Sequence, residues 1–92
     1  TVPAQALFMM NSQFIRDISK AMAAAVCAEH NDLDVLIGEL YQRILIRSAD
    51  QDDITQAEKY ITGLIRDGKS KQAAVASFVQ AMFSSTEFRF ID

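Results

Sequence analysis

Apolar residues recur along most of this chain at intervals of three and four, the spacing that gathers them on one face of a helix. Phe14, Ile15, Ile18, Met22, Ala25 and Val26 form the first such run and predict a long helix over roughly 12–29. Ala21, Ala23, Ala24, Ala25 and Ala28 make that helix thin, so a neighbour can approach closely. Ahead of it, Pro3 suits an early helical position, where its missing N–H would have no partner anyway. With Leu7, Phe8 and Met10 it predicts a short helix over roughly 3–10, and Asn11 or Ser12 can cap the restart.

"HNDLD" breaks the first run, with Asn31 or Asp32 available as caps. Leu33, Leu36, Ile37, Leu40, Tyr41, Ile44 and Leu45 then predict a helix over roughly 33–47. On its other face Glu39, Arg43 and Arg47 step by four, the acid N-terminal. Gly38 lies mid-helix, at a cost of about 1 kcal/mol relative to alanine; close packing and simple tolerance both account for it. A third helix over roughly 51–66 carries Ile54, Ala57, Ile61, Leu64 and Ile65 inward. Asp50 and Asp53 have capping-box spacing at its start, and Gly68 suits its close. Ser70 caps a fourth helix over roughly 71–83, with Val75, Phe78, Val79, Met82 and Phe83 on one side. Ser84 or Ser85 then starts a final turn.

No stretch alternates with a strand period, and the connections are short. The expected fold is therefore all-α: a compact bundle of four main helices with a short N-terminal helix and a short C-terminal turn. Ninety-two residues make one domain, and the opening "TVPAQ" gives it the look of the C-terminal fragment of a longer chain. A net charge of −3 with scattered basic residues argues against a nucleic-acid partner. No apolar run reaches the ~18 to 20 residues of a membrane helix, so no membrane insertion is expected.

Candidate chemistry is sparse. Cys27 and His30 are three apart and could share a helix face, but no second Cys or His completes a metal site or an oriented nucleophile. Glu29 is expected to point elsewhere. Asp50, Asp52 and Asp53 lack the spacing, glycine and terminal Glu of a calcium loop, and helix capping explains them. Met9, Met10, Met22 and Met82 read as core filling rather than haem ligands, since Cys-x-x-Cys-His is absent. No phosphate-cradling glycine motif occurs. Catalytic residues, cofactors and metals are therefore all expected to be none. Two charges stand out: Arg47 and Glu87 would form a structural ion pair if the C-terminal turn folds back over the second helix.

Three segments resemble a family of unknown function from planctomycetal bacteria. "TVPAQALFMMNSQF" is similar to its Thr-x-Pro-Gln-Ala-Leu-Phe-Leu-Met-Asn-Ser-Pro-Phe segment. "LYQRILIRSADQDDITQAEKYI" is similar to its Leu-Tyr-x-x-x-Leu-x-Arg-x-Pro-Thr-x-x-Glu helix pair, and "AMFSSTEFRFID" to its closing Leu-Leu-Asn-Ser-Asn-Glu-Phe-x-x-Val-Asp. Gln13 and Ala49 stand where that pattern has Pro, Asp50 where it has Thr, and Asp53 where it has Glu. Residues 40–61 and the Ser-x-x-Phe ending also bear a weaker, local likeness to phycobilisome-linker-like helical modules, which are scaffolds.

The family resemblance implies an exported bacterial protein, periplasmic or at the cell surface, often bearing a cytochrome-c-like module elsewhere, with this segment near its C-terminus. It carries no catalytic residue across. The expected function is a non-catalytic structural or interaction domain that docks on the upstream domain of its own parent chain. Leu7, Phe8, Met10, Phe88 and Phe90 are its candidate interface residues, and the fragment alone could self-associate. The alternative is an accessory part of an enzyme acting on polysaccharide or a redox partner, with Tyr41, Arg47, Tyr60 and Glu87 at a cleft edge. A helical adaptor for an unrelated protein is the third reading.

Overall fold

A computed structural model describes residues 13–84 of the chain. The expected short N-terminal helix and C-terminal turn fall outside those residues. So do Leu7, Phe8, Met10, Glu87, Phe88 and Phe90. Within them lie four α-helices: α1 (Gln13–Glu29), α2 (Leu33–Leu40), α3 (Gln51–Arg66) and α4 (Lys71–Phe83). A π-helical turn, Tyr41–Leu45, continues α2. No strand occurs among the described residues, and the all-α bundle stands.

The ends of α3 and α4 follow from local hydrogen bonds. Asp50 Oδ1 accepts from the Asp53 N–H at 2.8 Å, and Asp53 Oδ2 accepts from the Asp50 N–H at 3.0 Å. This is a reciprocal capping box, closed by aspartate where glutamate is usual. At the other end the Gly68 N–H reaches the Ile65 carbonyl and the Lys69 N–H reaches that of Leu64, both at 3.0 Å. Gly68 has φ +106°, so the termination is a Schellman motif that a side chain at this position would strain. Ser70 Oγ accepts from the Ala73 N–H at 3.1 Å and starts α4. Asp32 occupies the α2 N-cap position without a side-chain hydrogen bond, so the acid available there does not cap.

The core draws on every helix. Val26 from α1, Leu36, Ile37 and Leu40 from α2, Ile61 from α3, and Val75 and Val79 from α4 are fully buried. α4 is the hub, packing most extensively on α1 and next on α3. Gly38 has no neighbouring atom within 4 Å of where a Cβ would stand; tolerance, not a close approach, accounts for it.

Two inward assignments are corrected. The buried seam of α1 runs Ile15, Ser19, Ala23 and Val26, and Phe14 is 60% exposed. At about 100° per residue, Phe14 lies about 140° round the helix from Ser19. The small side chains, not the largest ones, face α4, because they let the two helices approach. Ile65 is 39% exposed; it sits in the last turn of α3, beside the chain reversal at Gly68.

The second helix also departs from expectation. Its α-helical part ends at Leu40, five π-helical residues follow, and Ile46 adopts φ 53°, ψ 42°. The π turn admits one more residue than an α turn while keeping Ile44 buried. Ile46 then reverses the chain toward α3 in a left-handed conformation that β-branched residues seldom adopt.

Candidate functional site

The reversal after the π turn gathers three side chains. Arg47 Nη1 donates to Asp53 Oδ2 at 2.8 Å and to the Ser48 carbonyl at 3.0 Å. Its guanidinium carbon lies 5.1 Å from the Tyr41 ring centroid, within cation–π range. Asp53 Oδ2 thus accepts from Arg47 and from the Asp50 N–H together. The Arg47 hydrogen bond, followed by the capping contact with the Asp50 backbone, holds the Asp53 carboxyl below its ordinary 3.8. The cluster pins the α2–α3 corner. Glu87, the partner expected for Arg47, lies outside the described residues.

A second charged cluster joins α1 to α2. Arg43 donates to Glu39 at 2.6 Å and to Glu29 at 2.7 Å. Glu29 Oε1 also stands 3.9 Å from His30 Nε2, so Glu29 turns toward His30 and Arg43 and does not point away. Cys27 is half-buried, and desolvation pushes its thiol above the ordinary value of 9.0 against a weaker opposing pull from Lys71. Among the described residues no three His, Cys, Asp or Glu side chains gather as metal ligands.

Asp34 on α2 and Glu58 on α3 form a third pair. The hydrogen bond from Glu58 to Asp34, with desolvation and like-charge repulsion behind it, raises Glu58 above its ordinary 4.5. A raised native value means the contact contributes stability fully below the unfolded value. It loses that contribution as pH rises through the native one. Near neutrality the pair is a mild repulsion between two helices.

The fourth feature is a groove of about 670 Å³ between α1 and α4. Arg16, Ser19 and Lys20 line it from α1; Gln72, Ala73, Ala76, Ser77 and Gln80 line it from α4. Ser19 is 1% exposed, and its hydroxyl has no hydrogen-bond partner among the described residues. Leaving a buried hydroxyl unsatisfied costs about 1–3 kcal/mol. Ser77 Oγ is 3.0 Å from the Tyr60 hydroxyl, a link from the groove to α3, where the Tyr60 ring packs on Phe78 at 5.8 Å between centroids. Sequence reasoning missed this groove. Its one local signal is a serine set in an alanine-rich seam between two cations four residues apart.

No helix among the described residues is long and apolar enough to cross a membrane. Among the described residues five large apolar side chains are exposed: Phe14, Val35, Ile46, Tyr60 and Ile65. Ile46 shows the most, at 72%. Its left-handed backbone costs a residue with a Cβ about 1–2 kcal/mol, and asparagine tolerates that region better. Ile46→Asn is therefore expected to stabilise the isolated chain by about 1 kcal/mol, read as a higher urea midpoint. A loss of stability would show that Ile46 packs on something.

No curated protein and no solved structure matches the chain. A family model described as PSD1, a protein of unknown function (DUF1553), matches residues 1–61. That span takes in the "TVPAQALFMMNSQF" and "LYQRILIRSADQDDITQAEKYI" segments, and stops short of α4 and the C-terminal "AMFSSTEFRFID". With well over half of its residues matched, the chain belongs to the PSD1 family, a domain family of unknown function (DUF1553).

Proposed function

We propose that this chain is a non-catalytic interaction domain within a larger exported bacterial protein, of the planctomycetal, cytochrome-c-linked kind that its segments resemble. In that setting it docks against a preceding domain of the same protein. The observation that carries this reading is Ile46, an aliphatic side chain 72% exposed on a backbone that strains it. A covered surface gives it a reason to stay. Phe14 and Val35 add exposed apolar area on α1 and α2. The charged clusters fit the same reading, since Arg43 ties Glu29 of α1 to the π turn and Arg47 ties that turn to Asp53 of α3.

The test is sedimentation velocity on the chain, alone and mixed with the preceding region of the parent protein expressed separately. Wild-type chain is expected to bind that region or to self-associate, and Ile46→Asn to weaken the contact while gaining stability. A chain that stays monomeric and ignores the preceding region would refute docking. An Ile46→Asn variant that binds as tightly as wild type would move the interface elsewhere and remove the observation on which the reading stands.

A further inference from the structure

One face of α2 is apolar, bare and open. Leu36, Ile37 and Leu40 fill the inner side of the helix and are fully buried. Val35 and Gly38 lie about 140–160° round the helix from Leu40. Val35 is 51% exposed, and nothing stands within 4 Å of where a Gly38 Cβ would be. Gln42, exposed on the π turn, continues the stripe. A surface helix ordinarily carries charge on the side away from the core, yet this stripe carries none from Val35 to Gln42. Inside the chain Gly38 is merely tolerated. On an outer face, the missing side chain lets the backbone of another helix come close.

The rim of this face is acidic on both sides. Toward α3, Asp34 lies about 40° round the helix from Gly38 and shares a hydrogen bond with Glu58. Neither carboxyl has an ion pair among the described residues. Lys59, the cation next in sequence to Glu58, is exposed and pairs with neither. On the opposite edge Arg43 is shared between two carboxylates, Glu39 and Glu29. Both edges are thus left negative, by residues that the fold gathers from three helices. Two carboxylates held side by side cost the free chain stability, and a cation placed against them from outside removes that cost. The complement of such a face is an aliphatic stripe edged with lysine or arginine.

We propose that a cationic amphipathic helix from the preceding region of the parent protein docks on this face. Its aliphatic stripe covers Val35 and crosses α2 at Gly38. Its lysines or arginines meet Asp34 and Glu58 on one edge and Glu39 on the other. This rests on the docking reading above and gives the partner of that reading a chemistry. The face also runs into the π turn that Ile46 closes.

The experiment has two arms. In the first, the nitrogen-15-labelled chain is titrated by two-dimensional NMR with an amphipathic helical peptide of leucine and lysine, and with its leucine–glutamate counterpart as control. The lysine peptide is expected to give saturable shifts at Val35, Gly38, Gln42 and Glu58, weakened by added salt, and the glutamate peptide none. Gly38→Ala should raise the urea midpoint of the free chain, because alanine is the better helix former and its Cβ meets nothing there. The same variant should bind the lysine peptide about tenfold more weakly, because that Cβ holds the partner off. Glu58→Gln should also raise the midpoint near neutrality and weaken binding severalfold. Gains in stability coupled to losses in binding are not what damage to the fold produces. In the second arm, sedimentation velocity compares the same variants against the preceding region. Binding that both substitutions weaken supports the proposal. Binding that ignores both overturns it and leaves docking in place, whereas no binding at all refutes docking and the proposal together. The lysine peptide shifting residues elsewhere, the glutamate peptide binding as tightly, or a dimer of the chain that Gly38→Ala dissociates would each overturn it as well.

Discussion

Leu40→Ala is expected to destabilise the chain by about 2–5 kcal/mol, the usual cost of deleting a fully buried leucine side chain. Leu40 is 0% exposed and ends the α-helical part of α2, where the π turn begins. The void it would leave lies between elements whose geometry is already set. α2 and α3 are tied through the Arg47 corner, and α4 lies against both α1 and α3. Such a site relaxes little, which favours the upper part of the range. A chain of this length carries roughly 5–14 kcal/mol in all, at about 0.05–0.15 kcal/mol per residue. The variant should therefore populate unfolded chain measurably at 37 °C. Urea unfolding followed by circular dichroism would show a lower midpoint with an unchanged slope. Phe14→Ala is the built-in control, since a residue 60% exposed should cost less than about 0.5 kcal/mol. Equal costs at the two positions would contradict the rotated seam of α1 and the burial of Leu40 together.

Asp53→Ala should cost about 2 kcal/mol, composed of a lost cap and a lost charge-assisted hydrogen bond. The larger figures for buried ion pairs do not apply, because the Arg47 and Asp53 side chains remain 37% and 22% exposed. The distinguishing readout is pH. Asp53 is held below its ordinary 3.8 in the folded chain. Its contribution is therefore complete above that value and is lost as pH falls through the depressed native one. The stability gap between wild type and Asp53→Ala should be full at pH 7 and close progressively in acid. Glu58 shifts the other way, so the wild-type acid limb is a sum of opposite slopes, and only the difference between the two proteins isolates Asp53. A gap that stays constant to pH 2 would mean that the carboxylate charge does not hold the corner.

The elements that announce themselves locally were the ones legible in the sequence. Asp50 and Asp53 cap α3, Gly68 closes it and Ser70 opens α4, because each acts within a few residues of itself. The path from Leu40 to Arg47 was not legible. Leu40, Tyr41, Ile44 and Leu45 fit an α period as well as a π turn, and the left-handed residue is an isoleucine where glycine or asparagine would have signalled it. The face of α1 was misjudged at Phe14 for a related reason. Counting apolar residues rewards size, whereas the partner helix selected the small side chains of Ser19 and Ala23. The groove depends on juxtaposing residues 16–20 with 72–80, and no periodicity reports a pairing at that separation. Tyr41, Arg47 and Tyr60, offered together as a cleft edge, divide between the corner and the α3–α4 contact.

The hub position of α4 bears on how the chain can be divided. Of the fifteen buried apolar residues among those described, six belong to it, Ala74, Val75, Phe78, Val79, Met82 and Phe83, and all lie beyond Ile61, where the family match stops. A fragment trimmed to that match would leave α1 with its alanine-lined seam facing water and would cut α3 short at Ile61, before its last five residues. The stretch recognised by family likeness and the stretch that can fold are thus different lengths of the same polypeptide. An expression boundary drawn on this chain has to keep α4 together with α1 and α3.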